Sequence, residues 1–294
     1  MKEALCALQI ELTNTCQLSC AECPRRFMTR QVGNMDFELA KLLIDEGLEY
    51  KKDMGFNLNG IGEPLLYPHL SELIYYMAEK GVTHYDLFTN LAVNSNSAYA
   101  VFKAISETPM DVTLAISMHL YDNSGNLHKP TEANFDKNFG IIMDLIDNKP
   151  NVHTHISMID TKYHTEDVIA KFHTHFRNFL LPENIHTIRQ LNPWFDLVKD
   201  MAGKNGHDLG CVTPSVCDYP FILFHVGWDG KVIICCTDDV NEECVLGEVK
   251  EKGDLRKIWH GEKLEQIRKD FNEYKINIAP CNKCHRTLFA RKER

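Results

Sequence analysis

An α/β fold built on a parallel sheet is what this sequence predicts, and three observations predict it. Short apolar runs alternate with amphipathic helical patterns through the first two thirds of the chain, as βα units do. Inside the runs apolar and polar residues alternate, so each strand offers one face to helices and a polar face to the opposite side. The chain has 294 residues, 44% hydrophobic and 25% charged, enough for one large domain and a small one.

The elements follow in order. Strands are expected over 4–12, 55–60, 84–90, 111–119, 152–159 and 185–191, and helices over 36–49, 68–80, 95–107, 131–147 and 164–179. Asp36 before Phe37-Glu38-Leu39 reads as a helix start, Pro68 suits a first turn, and Gly81 suits a stop. In strand one Leu8, Ile10 and Leu12 oppose Gln9 and Glu11, and Cys6 shares the apolar face as a core thiol. In strand two Phe56 and Leu58 oppose Asn57 and Asn59. In strand four Val112, Leu114, Ile116 and Met118 oppose Thr113, Ala115, Ser117 and His119. In strand five Ile156 and Met158 oppose His153, His155 and Ser157. The face away from the helices is therefore polar, where a closed parallel barrel carries branched apolar residues. It suits a polar ligand. After Pro193 the pattern changes. Residues 1–193 form the core, 194–210 a linker and 211–294 a second unit with seven of the eleven cysteines.

Composition excludes some functions. Lys and Arg total 32 against 41 Asp and Glu, a net charge of -9. That opposes sequence-independent nucleic-acid binding, which needs cations to displace counterions. No apolar run reaches membrane-spanning length, and MKEALCALQI lacks a signal-peptide layout. A cytoplasmic location is expected. Eleven cysteines in a chain this large, gathered at two places, fit metal sites better than disulfide staples.

The first group is Cys16-x3-Cys20-x2-Cys23, directly after strand one. Three thiolates this close can hold three irons of a [4Fe–4S] cube and leave the fourth open for chemistry. A zinc site or three buried thiols is the alternative, but zinc wants four ligands. Gly60-Ile61-Gly62-Glu63-Pro64 follows at the end of strand two. Together these motifs resemble the radical SAM superfamily. The resemblance implies a partial (β/α)6 barrel, S-adenosylmethionine (SAM) on the open iron, and Gly62, Glu63 and Pro64 beside the amino group of its methionine part. Thr89-Asn90-Leu91 stands where the family often has Thr-Asn-Gly. Ser117-Met118-His119-Leu120 stands where many relatives have Ser-x-Asp-Gly. By position Thr89, Asn90, Ser117 and Ser157 join the SAM site. His119 and Arg189 are candidate catalytic residues, against the alternatives of a strand-end histidine and a surface ion pair. Glu22 replaces an aromatic found in relatives.

The second group, Cys217-x12-Gly230-x4-Cys235 and Cys281-x2-Cys284, resembles the twitch domain, a shortened form of the SPASM domain. Trp228-Asp229-Gly230-Lys231 reads as a hairpin turn. The resemblance implies one auxiliary [4Fe–4S] cluster on Cys217, Cys235, Cys281 and Cys284, with Cys211 or Cys236 as a substitute ligand. A zinc ribbon is the alternative by spacing alone. Cys244 falls in a polar loop and is expected to be structural or incidental. The pairs His153/His155 and His173/His175 lack a third metal ligand, and the second pair reads as a solvated helix face.

As a family member the protein is expected to cleave SAM reductively to a 5′-deoxyadenosyl radical and take hydrogen from a polar substrate, with a flavodoxin- or ferredoxin-type electron donor. By analogy with a twitch-containing alcohol dehydrogenase of aminoglycoside biosynthesis, it would oxidise a small molecule by two electrons. A peptide-modifying maturase or epimerase is the rival. Strand one starts near residue 4, so the peptide-docking domain that such maturases often carry is expected to be absent. A non-catalytic iron–sulfur or zinc protein is the alternative from another class.

Overall fold

The computed structural model describes residues 4–20, 22–118, 129–146, 149–188, 217–235, 240–282 and 284. All six expected strands and all five expected helices of the core are present. The strands are β1 (Ala7–Ile10), β2 (Gly55–Leu58), β3 (His84–Thr89), β4 (Asp111–Ser117), β5 (Val152–Ile159) and β6 (Ile185–Ile188). Between them lie α1 (Phe37–Tyr50), α2 (Leu70–Glu79), α3 (Ser95–Glu107), α4 (Lys129–Ile146) and α5 (Glu166–Phe176). Side-chain caps set three starts, the first of them expected: Asp36 accepts from the amides of Glu38 and Leu39, Asn94 from Asn96 and Thr165 from Val168, each satisfying an orphan donor, whereas Pro68 precedes α2, which starts at Leu70 after His69. Gly81 follows α2 at φ +82°, a conformation glycine takes without steric cost.

The six strands are parallel and in sequential order, with each pairing to the next. Leu8, Phe56, Tyr85 and Val112 are register partners and at most 1% exposed, because this face packs on the helices. The opposite row, Gln9, Asn57, Asp86, Thr113 and His153, is polar. The alternation read from the sequence therefore sorts the two faces. Cys6 is a correction: it is exposed, and its thiol donates to the Ala4 carbonyl at 2.9 Å. Its amide donates to Ile222 O at 2.8 Å and its carbonyl accepts from the Gly55 amide at 3.0 Å, so strand pairing reaches this position while core burial does not.

The C-terminal unit continues the same sheet. A short helix, α6 (Tyr219–Ile222), leads into β7 (Leu223–Val226), which pairs parallel with β1. β8 (Lys231–Ile233) and β9 (Val245–Glu248) add antiparallel strands, giving nine in the order β6-β5-β4-β3-β2-β1-β7-β8-β9. The expected turn is present, with Gly230 at φ +85° and the Gly227 amide donating to Lys231 O at 2.8 Å. α7 (Asp254–Trp259) and α8 (Glu262–Asn272) close the unit. Phe224 meets Trp259 edge-on at 4.9 Å, and both belong to the main core with Leu8 and Phe56. The C-terminal strands thus share their apolar core with the first part. The expected linker 194–210 lies outside the described residues, as do His119, Arg189, Cys211 and Cys236.

Candidate active site and its two cysteine clusters

The loop after β1 carries the first cysteines, and its shape is set by Asn14. This fully buried side chain donates to Gln31 O at 2.7 Å and accepts from the Gly33 amide at 2.8 Å. Leu12 O takes the Met35 amide at 2.8 Å, and Thr13 bridges to Asn34. The segment 12–35 is thereby closed into a loop with Cys16, Cys20 and Cys23 on it. Those three pack in one small cluster with Leu18 and Ala92. Burial pushes the Cys16 thiol up. It also pushes Cys20 well up and Cys23 to about 12; the Glu63 charge adds to the rise at Cys16, and Glu22 with the neighbouring thiols adds to it at Cys20 and Cys23. Thiolates so placed call for a cationic partner.

Glu63 braces this loop to the strand ends. It is 2% exposed. One carboxylate oxygen accepts from Thr89 Oγ1 at 2.6 Å and Leu65 N at 3.1 Å, and the other from Asn90 N at 2.7 Å. Its own amide donates to Thr15 O at 2.8 Å. Asn90 in turn donates to Cys16 Sγ at 3.7 Å and accepts from Gln17 Nε2 at 2.8 Å. Gly62 presses so close to the loop that a Cβ there would sit 2.2 Å from Thr13 O, which only glycine permits. Pro64 is buried and opens a 3₁₀ turn. The motif residues Gly62, Glu63, Pro64, Thr89 and Asn90 therefore meet at the first cysteine loop. Leu91, in the place of the family's glycine, takes φ +57°. Full burial and the bond of its carbonyl to Asn138 Nδ2 at 2.7 Å hold it there.

Ser117 and Ser157 are register partners on the polar face, and Ser157 pairs with His186. The His155 and His186 rings lie 5.9 Å apart. Burial first, then the neighbouring histidines, holds His155 below its ordinary value. On α5, His173 bonds Thr187 Oγ1 at 2.7 Å, so it is tied to β6, while His175 is exposed.

The second cysteines gather as expected. Cys281 is 8% exposed and packs with Cys217, Cys235 and Cys244 beside Phe221, Ile234 and Phe271. Burial raises its thiol far above the ordinary value, with repulsion from Cys235, Cys217, Cys284 and Cys244 behind it. Cys244, 2% exposed, is thus part of this apolar nest. Its sequence setting among polar residues gave no sign of it. Among the described residues no group of three or more His, Cys, Asp or Glu converges as for a single metal ion. A cube binds each thiolate through a separate iron, so its ligands need not converge on one point. Three cysteines at one site, and Cys217, Cys235, Cys281 and Cys284 with Cys244 beside them at the other, supply the soft donors that such cubes use.

Several contacts join the sites' loops. Arg30, just past the first cysteines, pairs with Glu11 at 2.7 Å and Glu242 at 3.0 Å, and donates to Val240 O at 3.0 Å. Asn241 accepts from the Thr29 amide at 2.7 Å. The Trp228 ring lies on Gly33, where a Cβ would be 2.5 Å from it.

Comparison with known proteins agrees with this geometry. Residues 217–285 match the family model of the SPASM iron–sulfur cluster-binding domain. A "Tungsten-containing aldehyde ferredoxin oxidoreductase cofactor-modifying protein" of Pyrococcus furiosus is 26% identical over 74 residues, 25% of this chain and 21% of that protein. The match thus spans about a fifth of that relative's length. Among solved structures, BtrN in complex with AdoMet and 2-DOIA superposes with a TM-score of 0.56 at 19% identity, over 93% of this chain and 89% of BtrN. Native anSMEcpe with bound AdoMet and Kp18Cys peptide gives 0.62 at 16%, over 98% and 88%. Streptococcus suis SuiB bound to precursor peptide SuiA gives 0.53 at 13%, over 98% and 71%. The chain has the fold of the radical SAM enzymes and carries a SPASM-type iron–sulfur domain at its C-terminal end.

Proposed function

We propose that the protein is a radical SAM enzyme that binds SAM at a [4Fe–4S] cluster on Cys16, Cys20 and Cys23 and oxidises a small polar substrate by two electrons. The observation that carries this is the buried brace from Glu63 through Asn90 to Cys16. It fixes the loop that holds the three thiols to the strand ends that face the polar side of the sheet. The bound groups supply the hard chemistry: a 5′-deoxyadenosyl radical from SAM, and an auxiliary [4Fe–4S] acceptor on Cys217, Cys235, Cys281 and Cys284 for the second electron.

The chain's own residues bind, orient and shield. Gly62 leaves its backbone free for close approach, and Pro64 keeps the turn rigid. Thr89 and Asn90 hold the loop to β3, and Ser117 and Ser157 line the strand ends. His119 and Arg189 remain proposed substrate-side residues. The polar row Gln9, Asn57, Asp86, Thr113 and His153 suits a substrate rich in hydrogen-bonding groups. Its oxidation removes one hydrogen atom from carbon, then a proton from oxygen and a second electron, leaving a carbonyl. The reducing electron comes from a flavodoxin- or ferredoxin-type donor. The chain acts without membrane or nucleic acid.

A second reading, peptide modification, draws on the fold's likeness to peptide-bound anSMEcpe and SuiB. Anaerobic reconstitution tests both. About eight irons per chain and dithionite-dependent 5′-deoxyadenosine support the enzyme, whereas tightly held zinc and intact SAM overturn it. Deuterium passing into 5′-deoxyadenosine from a labelled polyol favours the dehydrogenase; passage from a labelled peptide favours the modifier.

A further inference from the structure

A small cavity lies beside the first cysteine loop, on the polar face of β1, β2 and β7. Gln9, Glu11, Asn59, Gly60, His225 and Glu242 are among the residues lining it. His225 is the register partner of Gln9 and sits next to Phe224, which packs into the helix-side core. Its ring therefore projects to the polar face, between the end of β7 that follows Cys217 and the end that faces Glu11.

His225 is 2% exposed, and neither ring nitrogen has a hydrogen-bond partner among the described residues. Tyr219 lies near it, ring to ring at 5.5 Å. The Asn59 carbonyl oxygen Oδ1 is likewise buried without a partner. A native chain rarely leaves such groups unpaired without a use for them. The surrounding charges are spoken for: Glu11 and Glu242 pair with Arg30, and Glu242 with Lys231 at 2.8 Å. The space open to a water-sized sphere is about 20 Å³, room for one heavy atom and its hydrogens.

We propose that His225 and Asn59 form a subsite for a single hydroxyl group of the substrate. This rests on the small-polar-substrate reading above. A neutral imidazole offers one donor and one acceptor, and Asn59 Oδ1 adds an acceptor; a hydroxyl both donates and accepts. A carboxylate or phosphate only accepts, and would meet Asn59 Oδ1 and the carboxylates of Glu11 and Glu242. Burial keeps the ring uncharged by pushing His225 down to about 3. The subsite thus selects a neutral polyhydroxylated molecule over an anionic one.

The test uses the reconstituted, oxidised holoprotein labelled with [15N]histidine. The His225 ring resonances are assigned by their loss in His225→Phe, or in His225→Gln should the first fail to fold. Ethylene glycol is expected to shift the unprotonated ring nitrogen saturably at pH 6, acetate is not, and Asn59→Ala should weaken the glycol response roughly tenfold (about 1.4 kcal/mol). No glycol response, an equal response to acetate, or a protonated ring at pH 6 would overturn the subsite. Failure of the parent reading shows separately, as absence of dithionite-dependent 5′-deoxyadenosine from the unsubstituted protein.

Discussion

Glu63→Gln tests the brace most directly. The carboxylate accepts three hydrogen bonds, two on one oxygen and one on the other. Glutamine keeps one oxygen and replaces the other with an NH2 that only donates. Either orientation sets that NH2 against a buried donor: the Asn90 amide in one, Thr89 Oγ1 and Leu65 N in the other. Thr89 Oγ1 accepts from Leu91 N at 3.0 Å and keeps a second lone pair, so it can turn its hydroxyl and accept from the NH2, but the Leu65 amide can only donate and is left unsatisfied. An unsatisfied buried donor costs about 1–3 kcal/mol, and the surviving bonds lose their charge assistance. The sum is roughly 2–4 kcal/mol, a fall of about 3–6 °C in Tm for a chain of this size. Because Asn90 also holds Cys16 Sγ, the variant should lose iron from the first site sooner. The assay is thermal unfolding of the reconstituted protein with iron counted before and after dilution. A Tm within ~1 °C of the parent and unchanged iron would refute the brace.

Further outcomes follow from the same geometry. Arg30→Met leaves Glu11 without its cation in a buried setting and should cost roughly 3 kcal/mol; Arg30→Met with Glu11→Gln should recover part of it, read from urea midpoints. Cys281→Ser should remove about four of about eight irons, while Cys244→Ala should leave the count intact; equal losses would make Cys244 a ligand. His225 binds its proton less tightly folded than unfolded, so its stabilising contribution is complete above the ordinary 6.5 and is lost as pH falls toward about 3. Between pH 6.5 and 5.5 the protein should lose about 1 kcal/mol relative to His225→Phe. Parallel pH profiles for the two would remove that account.

Much of the molecule was legible in the chain. Strand and helix positions followed from apolar period and from local signals such as Asp36 and Gly81, which act within a few residues. The cysteine spacings marked both candidate metal sites, because ligand spacing is itself a local property. Leu91 was visible as a departure from the family pattern, but its left-handed backbone was not. Cys6 was misplaced, and the burial of Cys244 went unseen, for a single reason. Parity along a strand says which way a side chain points, and loop polarity describes its sequence neighbours. Neither says what covers it.

By itself the sequence determined the alternation of elements, the polar inner face and the two cysteine groups. Only the tertiary structure decided that β7 lies beside β1 in one continuous sheet. It also decided that Glu63 ties three loops together and that Arg30 reaches Glu242 across 212 residues. These contacts join residues far apart in the chain. Their partners are chosen by which surfaces the packed core brings together, and no periodicity within a strand or helix encodes that choice.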